Sequence, residues 1–537
     1  MSTRGVVLGL DGVAWHLLEP LIHAGAMPRL RQLREIGASG TLRSTIPPYT
    51  APAWTSAFTG VNPGRHGVFG FFRGNLQRDL QLLHGGMIKS ATLWEVANDQ
   101  GASVGVYNVP VTYPPVALNG WMVSGMMTPH HPPQPASGFT WPPSIEHELN
   151  QLIPGYVPDL SADFQVDWQD RTLCEEALLT LDQRRRALQH LLTSRPTDVV
   201  FAVIEVPDRI QHVYYGYMDP SDASYESHQA REIQPHIVEC FRLIDEIIGL
   251  AHDYAGRDGA LIICSDHGFT KWEMTVHLNA LLAEWGFLEL HRADTLLRRA
   301  RRSWLGPPLR QLIPSTIIKR VKQQRTTSAV NWTQTRAFAS PKTYQMLFLN
   351  MKGREAFGIV GPNEVEHVKD EIVKRFHALR NPAGEAFDVR VWKSQEAYWG
   401  DEIRDAPDIV PMLNENRYYL DTGLFAPAPF ENATDLPRGL HHMDGIGLLS
   451  GPGIEAGASF SNSIMDVMPT LLYLTGLSVP ADLDGSVVEE AFVAGHMLGR
   501  PVSIIPFERP GATEEVSPYT PEEQEEIEEK LRGLGYL

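Results

Sequence analysis

Six side chains in four short patterns have the types that bind divalent cations. Asp11 lies in LGLDG, Asp208 and His212 stand four apart in EVPDRIQH, Asp266 and His267 are adjacent in CSDHGF, and His441 lies in GLHHMDG. Mixtures of carboxylate and imidazole are ligands for Zn²⁺, and such mixtures also hold Mn²⁺ or Fe. Two such ions about 3.5–4 Å apart can clamp the attacking and the leaving oxygen of an in-line displacement. A hydroxyl touching one of them loses its proton more readily, so that a threonine becomes a usable nucleophile. The hydroxyl on offer is Thr50, in the Pro-rich stretch STIPPYTAPAWTSAFTG.

Each part has a plain alternative. An acid at the end of a strand, as Asp11 is, also caps helices. Asp208 and His212 at i, i+4 could be a solvated helical pair, Asp266–His267–Gly268 a turn, and His441–His442 an exposed pair. Thr45, Thr55 and Ser56 rival Thr50, and His442 rivals His441.

The elements around these residues read as one architecture. Short apolar runs, Gly5–Leu10, Ser103–Val109, Asp198–Val206, Ala260–Cys264 and Ile446–Leu449, are separated by stretches of helical period such as Leu181–Leu192 and Ile237–Leu250. Near-continuous Val, Ile and Leu in strands alternating with helices imply an α/β fold, a mostly parallel central sheet with helices on both faces. In such sheets ligands gather at the carboxyl ends of strands, where Asp11, Asp208 and Asp266–His267 follow their runs. The texture changes between about residues 276 and 395, which implies an inserted cap between core segments 1–275 and 396–490, with 491–537 as a tail. Within it, residues 292–325 carry ten Lys/Arg against one acid, Asp294. In the tail, the glutamates after Pro521 followed by KLRGLGYL read as a surface helix docking its last apolar residues.

Composition bounds the function. The net charge of −18 disfavours nonspecific binding to nucleic acid, so no duplex partner is expected, and an anionic small substrate would need local positive charge, which metal ions supply. The three cysteines, Cys174, Cys240 and Cys264, form no CxxC pair, which suits a reducing compartment. No stretch reaches the roughly 20 apolar residues of a membrane span, and the N-terminal apolar run is broken by Asp11, so a cytoplasmic protein is expected.

The order and spacing of these motifs resemble the type I phosphodiesterase/nucleotide pyrophosphatase branch of the alkaline phosphatase superfamily, from Gly5 to about Gly485. The resemblance rests on Asp11 after the first strand, Thr50-Ala51-Pro52, Thr59-Gly60, Pro63, His66-Gly67, Asp208 with His212, Asp266-His267-Gly268, and His441 ahead of Gly451-Pro452. It implies hydrolysis of a small phosphate ester, by preference a diester or nucleotide-like one, with a phosphomonoester as the alternative. It also implies a phospho-Thr50 intermediate and two divalent metal ions, Zn²⁺ with Mn²⁺ as the alternative. Asp208, His212 and His441 would hold one ion; Asp11, Asp266, His267 and Thr50 the other. A noncatalytic metal-binding protein docking on membranes through the basic cap is the competing class. Sulfatases share the fold but need an Arg after Cys/Ser-x-Pro, where this chain has Trp54. The branch carries an Asn shortly after its His-Gly that contacts a phosphate oxygen, and Phe71 stands in that place. Arg73 and Lys89 are the nearest candidates to replace it, and His66 reads as structural.

Overall fold

The computed structural model describes residues 3–130, 137–159, 171–291, 328–432, 437–509 and 516–533. A sheet of nine strands runs in the order Ser459–Ser463, Ala38–Arg43, Asp444–Ser450, Ala260–Cys264, Gly5–Leu10, Val199–Ile204, Val104–Val109, Gly120–Ser124, Thr140–Trp141. Gly5–Leu10 lies at its centre, parallel to Val199–Ile204 on one side and to Ala260–Cys264 on the other. Every residue of these three strands is buried, which is why they read as continuous apolar runs rather than alternating ones. Asp444–Ser450 enters antiparallel beside Ala260–Cys264, and this returning strand brings the C-terminal motif to the same edge.

The expected strand Asp198–Val206 is shorter than its apolar run. It ends at Ile204, and Val206 opens the helix Val206–Met218 with Pro207 in its first turn, where a missing N–H costs nothing. Leu181–Leu192 and Ile237–Leu250 are the middles of longer helices, Thr172–Ser194 and His228–Ala255. The tail helix Pro521–Gly533 docks through buried Ile527 and Leu531, and Tyr519 ahead of it donates to the carbonyls of Leu83 and Met127.

A second apolar cluster, separate from the one around the main sheet, gathers residues between Met274 and Leu424 together with Phe69. It includes the helix Val365–His377 and a sheet in the order Ala337–Ala339, Leu347–Leu349, Ile409–Leu413, Val389–Lys393. Its members include described residues of the stretch expected as a cap and others as far as Leu424. The basic stretch 292–325 lies outside the described residues. Among those described, no helix is long and apolar enough to cross a membrane.

One buried ion pair sets the entry to the Val206–Met218 helix. Arg184 and Glu205 are both almost fully buried, with Nη2 and Oε1 2.5 Å apart. Arg184 also donates to the carbonyls of Val157 and Pro158, and Glu205 accepts from Asn108 Nδ2 at 2.6 Å. Removing one partner leaves an uncompensated charge in the core. Glu205→Ala is therefore expected to destabilise the fold by about 3–5 kcal/mol, read from urea midpoints. Superimposable wild-type and variant curves would show that the pair contributes nothing net.

Candidate metal centre

The carboxyl ends of the three central strands meet at one buried spot. Asp11 follows the first strand, its N–H still paired with the Ile204 carbonyl. Gly12 then turns at φ +72°, a conformation glycine adopts freely. A Cβ there would sit 2.6 Å from the Phe269 ring and 3.1 Å from Asp208 Oδ1, so the position excludes side chains by space as well. The turn lets Gly12 N–H donate to Asp266 Oδ1 (3.2 Å) and its carbonyl accept from Gln211 Nε2 (3.0 Å). Asp208 and His212 face the same spot from successive turns of their helix. His441 arrives on Gly439–His442, which pairs antiparallel with Gly268–Lys271 and so faces His267. His442, on the other side of that strand, accepts instead from the Asp444 N–H.

Three imidazoles are anchored alike. Nδ1 of His212, His441 and His267 lies 3.1, 3.0 and 3.1 Å from the carbonyls of Gly439, Pro48 and Gly268. A carbonyl accepts only, so each Nδ1 carries the proton and each Nε2 presents a lone pair to the spot, the orientation of metal-bound histidines. His212 Nε2 and His441 Nε2 lie only 2.9 Å apart, and both approach Asp208 Oδ1, at 3.4 and 3.3 Å. Separations near 3.3 Å are the edges of a tetrahedron with bonds of about 2.0–2.1 Å.

A second donor set adjoins the first. His267 Nε2 lies 3.3 Å from Asp266 Oδ2, 3.6 Å from Asp11 Oδ1 and 3.4 Å from Thr50 Oγ1. It is also 4.0 Å from Asp208 Oδ1, so the two sets share a border. Asp11 Oδ1 and Asp266 Oδ2 are buried and accept no hydrogen bond among the described residues. Burial pushes both carboxyls well above their usual range, and the charge of Asp208 adds to this. Burial opposes ionisation of Asp208 as well, but the Arg209 guanidinium donating to its Oδ2 favours the charged form. Burial also holds His267 and His441 below the usual imidazole range, in the neutral form that ligates. This packing of imidazole and carboxylate ligand atoms fits divalent cations.

Thr50 opens the helix Thr50–Thr59, fully buried, so its hydroxyl stands at the helix end that favours negative charge. The rival hydroxyls are engaged elsewhere. Thr55 Oγ1 donates to the Ala51 carbonyl at 2.7 Å, Thr45 Oγ1 to that of Pro47 at 3.0 Å, and Ser56 Oγ meets His66 Nε2 at 3.0 Å. His66 accepts from the Val68 N–H and burial pushes its pKa down to about 3, so it is a structural histidine. Arg73 is bound by Asp405 at 2.8 Å, Lys89 lines a surface pocket with Thr59, Arg65 and Arg509 at the other end of the Thr50 helix, and Phe71 packs edge-on to Tyr49. Cys264 is a buried core thiol, pushed up by that burial.

Two supporting residues were not read from the sequence. Trp54 Nε1 donates to Asp11 Oδ2 at 3.2 Å, its ring lying where a side chain on Gly9 would be. Arg209 Nη1 donates to Asp208 Oδ2 at 2.6 Å, which leaves Oδ1 to face the histidines. An arginine directly after the candidate ligand Asp208 is the signal that could have found it.

A family model described as type I phosphodiesterase / nucleotide pyrophosphatase matches residues 5–424. Among solved structures, phosphonoacetate hydrolase from Sinorhizobium meliloti 1021 in complex with phosphonoformate aligns with a TM-score of 0.52 at 17% identity, over 88% of this chain and 95% of that one. Its complex with phosphonoacetate aligns at 0.50 and 16%, with the same coverage. The inactive murine ectonucleotide pyrophosphatase / phosphodiesterase 5 in complex with AMP aligns at 0.48 and 14%, over 91% of this chain and 100% of that one. No curated protein matches the sequence. The phosphonoacetate hydrolase likeness shows a shared alkaline phosphatase-like fold.

Proposed function

Since this chain belongs to the type I phosphodiesterase / nucleotide pyrophosphatase family, we propose that it hydrolyses phosphate esters at the cluster above through a phospho-Thr50 intermediate. Asp208, His212 and His441 would hold one divalent ion, and Asp11, Asp266, His267 and Thr50 the other. The observation that carries this reading is the convergence of three Nε2 lone pairs and two orphaned carboxylate oxygens around one threonine hydroxyl. The ions, when bound, lower the pKa of a touching hydroxyl and neutralise developing charge on phosphoryl oxygens.

The protein's own part is to hold and orient. Backbone carbonyls lock the imidazoles, Arg209 and Trp54 each take one oxygen of an aspartate, and the Thr50 helix aims its N-terminus at the phosphoryl group. Thr50 Oγ gives up its proton and bonds to phosphorus as the bond to the ester oxygen breaks, and the leaving oxygen takes up a proton. Water then attacks the phosphothreonine, the P–Oγ bond breaks, and the proton released by the water restores the Thr50 hydroxyl. The substrate class is a diester or nucleotide-like ester first and a monoester second, with Zn²⁺ the expected metal and Mn²⁺ the alternative. Three buried free thiols favour a cytoplasmic, reducing location.

A panel of aryl phosphate mono- and diesters, assayed after chelation and re-addition of Zn²⁺ or Mn²⁺, tests this directly. Turnover is expected to vanish on chelation and to return with one of the two ions, fastest on a diester. Hydrolysis that persists in the chelated protein would contradict the metal-dependent reading.

A further inference from the structure

We propose that Tyr344 is a catalytic residue of this site, its phenol O–H donating to a nonbridging oxygen of the phosphoryl group transferred at Thr50. The proposal rests on the phosphoryl-transfer reading above and assigns a role to a residue that packs into the main-sheet cluster from the stretch expected as a cap. Tyr344 lies between the strands Ala337–Ala339 and Leu347–Leu349, and only 7% of it is exposed. Its ring stacks on Tyr49, centroids 4.5 Å apart and 8° from parallel. Tyr49 is the residue that caps the Thr50 helix. The other side of the site is equally near, with the Tyr344 ring 5.9 Å from that of His441.

Side-chain amides fix the hydroxyl. Asn416 Nδ2 donates to Tyr344 Oη at 3.4 Å and to the His441 carbonyl at 2.6 Å, while Asn416 Oδ1 accepts from Gln345 Nε2 at 2.7 Å. The backbone carrying this network is strained. Lys342 and Gln345 flank Tyr344 at φ 73° and 53°, and Asn414, Glu415 and Asn416 follow one another at 48°, 52° and 69°. Five non-glycine residues in the left-handed region around one hydroxyl mark a place where precise position has been held against local preference.

The hydroxyl has a proton to give. Among the described residues Tyr344 Oη accepts from Asn416 and donates to no group. A phenol, with an ordinary pKa of about 10, is protonated at neutral pH. A buried donor without an acceptor is costly, and the six ligands beside it present lone pairs already directed at cations. A phosphoryl oxygen at Thr50 is the acceptor that satisfies it, and a donor aimed at such an oxygen acts where charge develops.

Tyr344→Phe, which keeps the stacked ring, is the test. With an aryl phosphate ester that the wild type hydrolyses, kcat is expected to fall by about 10²-fold, with KM and bound metal unchanged. Calorimetry should show weaker binding of orthovanadate, which mimics the five-coordinate phosphoryl group. Tyr344→Ala, which also removes the ring, should be no more active than Tyr344→Phe. The proposal is overturned if Tyr344→Phe keeps wild-type kcat and vanadate affinity, or if Phe restores a rate that Ala loses, since the residue would then serve by packing. Loss of bound metal in Tyr344→Phe would overturn it too. A wild type that hydrolyses no ester on the panel would instead remove the phosphoryl-transfer reading itself.

Discussion

Thr50→Ala is expected to lower phosphate ester hydrolysis by about four orders of magnitude while leaving the fold and the bound metal in place. The size of the effect follows from what the hydroxyl does. It is the covalent acceptor, so its loss removes the two-step route rather than weakening one contact. The fold should survive because Thr50 stands at the first position of its helix, and the bonds that hold that helix are made by others. Ala53 N–H bonds to the Tyr49 carbonyl, and the Thr55 and Thr59 hydroxyls return to carbonyls one turn back. Thr55→Ala is the matched control, a buried hydroxyl lost from the same helix, and it should retain most of the rate. Phosphorus labelling sharpens the comparison: acid-quenched wild type should carry label on Thr50 during turnover, and the Ala variant none. An active Thr50→Ala beside an inactive Thr55→Ala would mean that the nucleophile is a different hydroxyl.

Asp208→Ala should be the most damaging of the ligand substitutions, reducing bound metal from the expected two equivalents to less than one and abolishing turnover. Asp208 Oδ1 lies within 3.3–4.0 Å of the Nε2 atoms of all three histidines, so it borders both donor sets. Its removal also strands Arg209, fully buried and bonded to Asp208 Oδ2. Elemental analysis reads the metal and thermal unfolding reads the fold. Metal-loaded wild type should melt higher than chelated wild type, because a ligand that binds only the folded state stabilises it and because burial disfavours charge on Asp11 and Asp266. His442→Ala is the control for the neighbouring histidine, which faces away, and should keep both metal equivalents. An Asp208→Ala protein with two equivalents and full activity would overturn the assignment of the ligands.

The site was unevenly legible in the sequence, and particular residues show why. Asp11, Asp208 and Asp266 follow apolar runs, and a run that must be buried on both faces can only be a central strand, so their shared edge could be read in advance. The pair Asp208 and His212 was legible because a spacing of four is one helical turn. The rivals were not separable. Thr45, Thr50, Thr55 and Ser56 differ little in local context, and only their partners in space distinguish them. His441 and His442 are adjacent on one strand, and a choice between its two faces depends on pairing with Gly268–Lys271, some 170 residues earlier in the chain. Trp54, Arg209 and Tyr344 escaped notice because buried aromatic and cationic side chains read first as packing or surface.

What the sequence by itself determined is the local order: apolar runs that become strands, acids and histidines placed at their ends, and a Thr-x-Pro turn entering a helix. These follow from burial and periodicity over a few residues, and every sequence carries them openly. What only the tertiary structure decided is convergence. The returning strand Asp444–Ser450 brings His441 against Asp208, the backbone carbonyls of Pro48, Gly268 and Gly439 set which imidazole nitrogen faces inward, and the segment between Ala339 and Leu347 places Tyr344 on Tyr49 beside Thr50. Apart from the bond between His267 and its neighbour Gly268, such contacts join residues hundreds of positions apart, and their geometry comes from packing distant elements together rather than from any local preference of the chain.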